Sequence, residues 1–234
     1  MRGRRRLAGV SSPDSWRAGW ARPVGAAIFR TLYAGRSVGA AHVPRSGPVI
    51  LAANHTGFLD GAVIVGLAPR PVHFLVYDKS FERWVGSILR ASGQIPLAMD
   101  RGARAGLHAG LDVLSRGGVL GIFPEGARGR GDLADAERGV AWLAIQSGAD
   151  VIPTACLGTR ATGALADSVP APRSKLVVDF GEALAFDIPQ GVPGRRRVQL
   201  VADQIREGLA AHVAAASREH GIPLPEDVPP DLWD

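Results

Sequence analysis

The chain of 234 residues has one cysteine, only two lysines and no apolar stretch long enough to cross a membrane. The lone Cys156 excludes an internal disulfide framework and any metal site built from several thiolates, and it suits a reducing compartment. It lies in the run Val151-Ile152-Pro153-Thr154-Ala155-Cys156-Leu157, where a small core residue is expected rather than a nucleophile. Lys79 and Lys175 are the only lysines among 27 basic residues, so arginine carries nearly all the positive charge. Set against 22 acidic residues, this gives a net charge of +5, which favours anionic partners such as phosphorylated substrates, anionic lipid or nucleic acid. A spanning helix needs about 18 or more consecutive apolar residues, and none occur, so no transmembrane helix is expected. Arg2, Arg4, Arg5 and Arg6 open the chain like a targeting signal, but Asp14, Arg17 and Arg22 interrupt any apolar core behind them. The expected location is therefore peripheral, at the cytoplasmic face of the cell membrane.

What is present is an alternation. With 46% hydrophobic residues the chain has enough apolar surface for one sizeable core. Residues 1–13 read as a basic tail, and residues 14–34 as an amphipathic helical segment for a membrane interface. There Trp16, Trp20, Ile28, Phe29, Leu32 and Tyr33 are interspersed with Arg17, Arg22 and Arg30, and Pro23 is expected to break or kink the helix. An ordinary helix packed on the domain is the other reading of this segment. Residues 35–220 read as a single α/β domain, with a mostly parallel or mixed central sheet flanked by helices, and residues 221–234 as a Pro-rich tail. Within it, strands are expected at 48–53, 72–76, 94–98, 119–123, 150–157 and 175–180, all continuous apolar runs suited to a sheet covered on both faces. Helices are expected at 60–67, 82–90, 103–115, 137–146 and 196–218.

The segment Asn54-His55-Thr56-Gly57-Phe58-Leu59-Asp60 follows the first of these strands, where α/β folds place ligands. In an uninterrupted helix, residues five apart point about 140° from each other, so His55 and Asp60 meet only if the chain breaks between them. Thr56 as helix cap and Gly57 as a flexible link permit the break and leave Asp60 at the helix start. The carboxylate would then fix the imidazole tautomer and leave the other ring nitrogen to accept a hydroxyl proton; a purely structural pair has the same signature. Phe123-Pro124-Glu125-Gly126-Ala127-Arg128-Gly129-Arg130 also follows an apolar strand. Arginines there suit a bidentate grip on phosphate, glycines let substrate approach the backbone, and Glu125 suits a substrate hydroxyl or the alignment of an arginine. A third segment, Gly93-Gln94-Ile95-Pro96-Leu97-Ala98-Met99-Asp100-Arg101, brings one more arginine to a strand end.

These segments resemble, in order, the blocks of the glycerolipid acyltransferase family, which includes lysophosphatidic acid acyltransferases. Asn54-His55 with Asp60 matches the first block, Gly93 to Arg101 a G-x-I-P block ending in D-R, Phe123 to Arg128 an F-P-E-G-x-R block, and Val151-Ile152-Pro153 a late apolar block. The resemblance covers roughly residues 47–158. It implies that His55 is the general base, that Asp60 supports it, and that Asn54, Arg101, Glu125, Gly126 and Arg128 serve substrate binding, the last arginine and Arg101 on the acceptor phosphate. It further implies an acyl thioester of coenzyme A or acyl carrier protein as co-substrate, a lysophospholipid acceptor, and no metal or redox cofactor. Backbone amides near Gly126 or the His55 turn are candidate oxyanion donors. Relatives often carry serine where this chain has Gly57 and Gly129, and lysine where it has Arg138, departures that bear on the acceptor more than on the reaction. Lys79 beside Asp78 is a candidate for donor phosphates or a plain surface residue.

Other readings carry less. Gly35-Arg36-Ser37-Val38-Gly39 fits the nucleophile-elbow pattern of serine hydrolases, without a convincing strand before it. A lipid-binding scaffold would leave His55, Asp60 and the Glu125–Arg128 cluster without a use. Nucleic-acid binding is disfavoured because the arginines are dispersed. His42, His73, His108, His212 and His220 lack metal-ligand spacing.

Overall fold

The computed structural model describes residues 12–82, 84–98, 103–124, 133–165 and 167–227. In chain order the elements are α1 (Ser15–Thr31), β1 (Ala34–Val38), β2 (Val49–Ala53), α2 (Asp60–Leu67), β3 (Val72–Tyr77), α3 (Gly86–Ala91), β4 (Ile95–Leu97), α4 (Arg104–Ser115), β5 (Val119–Ile122), α5 (Leu133–Ser147), β6 (Asp150–Leu157), β7 (Lys175–Phe180) and α6 (Gly194–His220), with 3-10 turns at Ala40–His42 and Asp78–Phe81. The seven strands form one mixed sheet in the order β1-β7-β6-β2-β5-β3-β4. From β6 to β4 all neighbours are parallel, whereas β7 runs antiparallel to β6 and carries β1 parallel at the edge.

Strand β2 shows why the sheet lies in the middle. All five of its residues are buried, and their side chains alternate between faces. Val49, Leu51 and Ala53 join Ile64, Phe74 and Phe180 in the core beneath α1 and α2. Ile50 and Ala52 join Val113, Leu143 and Ile205 in a second core beneath α4, α5 and α6. This is the α/β domain expected from the apolar runs.

Helix α1 is continuous through Pro23, where a break or kink was expected. Its packing against α2 supplies the reason. Gly25 and Gly66 cross so closely that a Cβ on Gly25 would lie 2.8 Å from the Gly66 Cα. Ala18, Ala21 and Phe29 are buried, and Arg22 Nε donates to the Ala68 carbonyl at 2.7 Å. At its other end Arg17 and Trp20 donate to the carbonyls of Arg90 and Ala91, which close α3. Trp16, Trp20, Val24 and Ile28 of α1, and Leu32 just after it, are exposed, a row that winds about 40° per step around the helix. The packed side matches the reading of an ordinary helix on the domain.

Three further differences from the sequence expectation have local causes. Helix α3 begins at Gly86 rather than near Glu82; Glu82 instead closes the 3-10 turn at Asp78–Phe81, its N–H donating to Lys79 O, and Arg90 Nη2 donates back to Phe81 O at 3.0 Å. Helix α5 begins at Leu133, four residues before its expected start, and α6 gains a turn's worth of residues at its two ends together, closing on a left-handed Gly221. Strand β1, which no apolar run announced, is paired along β7, so Ser37 pairs with Val178 inside the strand, and the turn begins only after Val38. That placement is incompatible with a nucleophile elbow.

Candidate active site

Parallel strands β5, β2 and β6 are neighbours, and the site gathers where all three end. After Ala53 at the end of β2 the chain leaves the sheet at Asn54, passes His55, and turns so that Asp60 N donates to Gly57 O at 3.3 Å. Asp60 then opens α2, with Leu59 as the cap residue and no side-chain cap. The expected break between the two residues is there, but its chemistry is reversed: Thr56 does not cap the helix, and the Asp60 carboxylate caps the turn.

Asp60 is fully buried. Its Oδ2 accepts from His55 Nδ1 at 2.9 Å, Thr56 N at 2.6 Å and Gly57 N at 2.8 Å. Its other oxygen, Oδ1, accepts from the Thr159 hydroxyl just beyond β6. A buried carboxylate is tolerated only when its lone pairs are satisfied, and four donors do so here. Gly57 is not in a left-handed conformation. The fit there is close instead: a Cβ would lie 3.2 Å from Thr159 O and Thr159 Oγ1, so a larger residue would need Thr159 to give by a few tenths of an ångström.

His55 is held on two sides. Its Nδ1 proton faces the carboxylate, which leaves Nε2 with the ring's basic lone pair. Its ring stacks on Phe123, which follows β5, with centroids 4.1 Å apart and planes 12° from parallel. Phe123 in turn stacks on Phe74 of β3 at 4.9 Å. Phe74 can lie there because the facing position on β5 is Gly121, where a Cβ would meet the Phe74 ring at 2.5 Å. The imidazole's tilt is thus set by an aromatic stack rooted in the sheet.

Of the other residues singled out from the sequence, Asn54 has a different task from the substrate binding expected. It is buried, its Oδ1 accepts from Cys156 N at 2.7 Å, and its Nδ2 donates to Cys156 O at 3.1 Å. The amide therefore bolts the end of β2 to β6, and both of its functional groups are taken. Cys156 is fully buried; burial first, and the neighbouring Asp60 second, push its thiol well above the ordinary range, which keeps it protonated and unreactive. Arg101, Glu125, Gly126 and Arg128 lie outside the described residues. Lys79 sits with its ammonium 5.6 Å from the Tyr77 ring centroid, and Arg138 points its Nε toward Gln199 Oε1 of α6 at 3.4 Å. The amides of Thr56 and Gly57, expected among possible oxyanion donors, are spent on Asp60. Sequence reasoning missed Thr159 and the stacking role of Phe123; only the FPEG-type segment hinted at the latter.

Both the sequence and the fold have known relatives. A protein-family model described as Acyltransferase matches residues 36–157, more than half of the chain. A curated relative from Bacillus subtilis (strain 168), 1-acyl-sn-glycerol-3-phosphate acyltransferase, is 26% identical over 119 residues, which span 50% of this chain and 59% of that protein's own length. The crystal structure of the 1-acyl-sn-glycerophosphate (LPA) acyltransferase PlsC from Thermotoga maritima superposes with a TM-score of 0.60 at 21% identity, over 83% of this chain and 79% of that one, a likeness of fold. The chain belongs to the Acyltransferase family.

Proposed function

We propose that this acyltransferase moves a fatty acyl group from an acyl thioester, of coenzyme A or acyl carrier protein, to the free hydroxyl of lysophosphatidic acid, giving phosphatidic acid. The observation that carries the reading is the His55–Asp60 pair, with Nδ1 tied to a buried carboxylate and the ring face fixed on Phe123. The printed names of the B. subtilis relative and of the T. maritima protein support this acceptor. In the proposed reaction Nε2 of His55 takes the acceptor's hydroxyl proton as the oxygen attacks the thioester carbonyl, and Asp60 stabilises the resulting imidazolium. The tetrahedral intermediate collapses with cleavage of the C–S bond, and the imidazolium returns its proton to the departing thiolate. No acyl-enzyme forms. With Thr56 N and Gly57 N already engaged, we assign the oxyanion to the Gly126 segment, and the acceptor phosphate to Arg101 and Arg128 with Glu125 on a substrate hydroxyl or arginine.

The membrane part of the reading rests on the exposed stripe of α1. Among the described residues no helix is long and apolar enough to cross a membrane. Trp16, Trp20, Val24, Ile28 and Leu32 are nonetheless exposed along and just after α1, with Trp84 and Ile88 exposed at the adjoining α3. Tryptophans with aliphatic neighbours and flanking arginines suit a peripheral seat at an anionic headgroup layer, at the cytoplasmic face.

A panel of acceptors with one labelled acyl-CoA tests the reading. Lysophosphatidic acid is expected to give the highest kcat/KM among it, other lysophospholipids and a glycolipid. A preference for an acceptor without a phosphate monoester would overturn the acceptor assignment and leave acyl transfer standing. Absence of thiol release with every acceptor and with both donors would overturn the activity.

A further inference from the structure

The Thr159–Arg160 pair after β6 makes contacts that neither the family motif nor the sequence pattern assigns. Thr159 is fully buried, and its hydroxyl is the sole donor to Asp60 Oδ1 among the described residues. Since Thr159 donates to Asp60, the Thr56 hydroxyl 3.1 Å away donates to Thr159, which gives a relay of two hydroxyls ending on the carboxylate. Arg160 is nearly buried as well, with its side chain 3% exposed. Its Nε donates to Thr56 O at 3.0 Å, holding from below the same turn whose amides cap Asp60. The other end of the guanidinium donates to Ala164 O at 2.9 Å and to Asp227 O at 2.7 Å, and lies 3.2 Å from the Asp227 carboxylate. Asp227 also accepts from Gly163 N at 3.1 Å, and its hydrogen bond with Arg160 holds its carboxyl below the usual range.

Asp227 reaches this place because the chain reverses at Gly221 after α6 and packs Ile222 and Leu224 on the core beside β6 and β7. A guanidinium this far from water is costly unless it is paired and fully hydrogen-bonded, so the segment after α6 completes a requirement that Arg160 creates. The turn carrying the base is thereby held by residues 159–160, and residue 227 holds the far end of Arg160.

The geometry points to Thr159 and Arg160, anchored by Asp227, as positioning residues that hold the Asp60 carboxylate and the Thr56–Gly57 turn in register with His55. They act through Asp60 and touch no substrate. Thr159 aligns the carboxylate so that Oδ2 meets His55 Nδ1, and Arg160 fixes the carbonyl side of the peptide whose neighbouring amides face that oxygen. The inference rests on His55 acting as the base.

The test uses the full chain with acyl-CoA and lysophosphatidic acid, and compares Thr159→Val, Thr159→Ser, Asp227→Asn and His55→Ala. Loss of one hydrogen bond to a charged group corresponds to a fall in kcat of roughly ten- to hundred-fold for Thr159→Val, with both KM values held within about twofold. Thr159→Ser, which keeps the hydroxyl, is expected to retain kcat within about threefold of the parent. Nitrogen-15 NMR of the His55 ring should show the Nδ1-protonated tautomer in the parent and the serine variant, and a tautomer mixture in the valine variant. A merely structural threonine would lower the melting temperature without moving the tautomer. Asp227→Asn, at a partly exposed carboxylate, is expected to lower kcat severalfold at unchanged KM, and it decides the matter if the valine variant does not fold. Parental kcat and tautomer in Thr159→Val or in Asp227→Asn, or loss that serine fails to rescue, would overturn the positioning role. An active His55→Ala would instead overturn the base assignment, which separates the two failures.

Discussion

Replacing Asp60 by asparagine removes one charge from a site whose hydrogen bonds dictate how the amide must sit. Three donors, His55 Nδ1, Thr56 N and Gly57 N, converge on Oδ2, so the new amide's NH2 cannot occupy that place without facing three N–H groups. The amide oxygen must take it, and the NH2 must face Thr159 Oγ1. Thr159 can adapt by accepting from the amide and donating to Thr56 Oγ1. The fold therefore survives with its donors paired, at a cost of about 2–4 kcal/mol as charge-assisted bonds become neutral ones. Catalysis fares worse. With roughly 4 Å between charge centres and an effective dielectric of about 20, the imidazolium loses on the order of 4 kcal/mol of stabilisation. That corresponds to about a thousandfold in rate if the whole charge develops in the transition state, and on the order of a hundredfold if only part of it does. Because the oxygen still faces Nδ1–H, the tautomer is preserved, and the loss stays below the roughly 10⁴-fold seen where such a substitution inverts the tautomer. Steady-state thiol release, measured beside a thermal melt, checks both halves. An Asp60→Asn variant that folds and keeps more than about a tenth of the parental kcat would refute the reasoning, because the Coulomb contribution would then be absent.

Phe123→Leu removes the ring that flanks His55 while leaving an apolar side chain, and an aromatic pair worth about 0.5–1.5 kcal/mol predicts a two- to tenfold lower kcat with little change in KM; parental kcat would mean the stack does not orient the base. Burial pushes the His73 imidazole below its ordinary 6.5, with its Nδ1 bonded to Gly93 O at 2.6 Å, so as pH falls the unfolded chain takes up this proton before the folded protein does. Stability should accordingly decline as pH falls below about 6.5, and less steeply in His73→Gln, which paired melts at pH 7 and pH 5 measure. Val24→Gln with Ile28→Gln alters only exposed side chains, and should weaken binding to anionic vesicles about ten- to hundredfold in flotation assays while leaving the melt unchanged; equal binding would remove α1 from the membrane contact.

How far this molecule was legible in its sequence follows from where the information lies. The runs Val49–Ala53 and Asp150–Leu157 announce buried strands because nearly every residue in them is apolar or small, and the sheet indeed buries β2 completely and β6 beyond Asp150. The need for a break between His55 and Asp60 was readable from helical periodicity alone. Strand β1 was not readable, since Ala34-Gly35-Arg36-Ser37-Val38 has neither an apolar run nor a clean alternation, and its strand state comes from pairing with β7 at the sheet edge. Thr159 and Arg160 were hidden for another reason. They meet the His55 turn from about a hundred positions away, and a threonine and an arginine after a strand look like any loop. Asn54 misled for the converse reason: its place beside His55 suggested substrate, while its amide matches the backbone of β6, a partner that only the fold supplies.

The most direct test of the central claim is thiol release from acyl-CoA by purified His55→Ala protein with lysophosphatidic acid as acceptor. The account predicts a loss of at least about a hundredfold, the lower range of what a positioned general base contributes, in a protein that melts like its parent. Thiol release at the parental rate from that folded variant would contradict it.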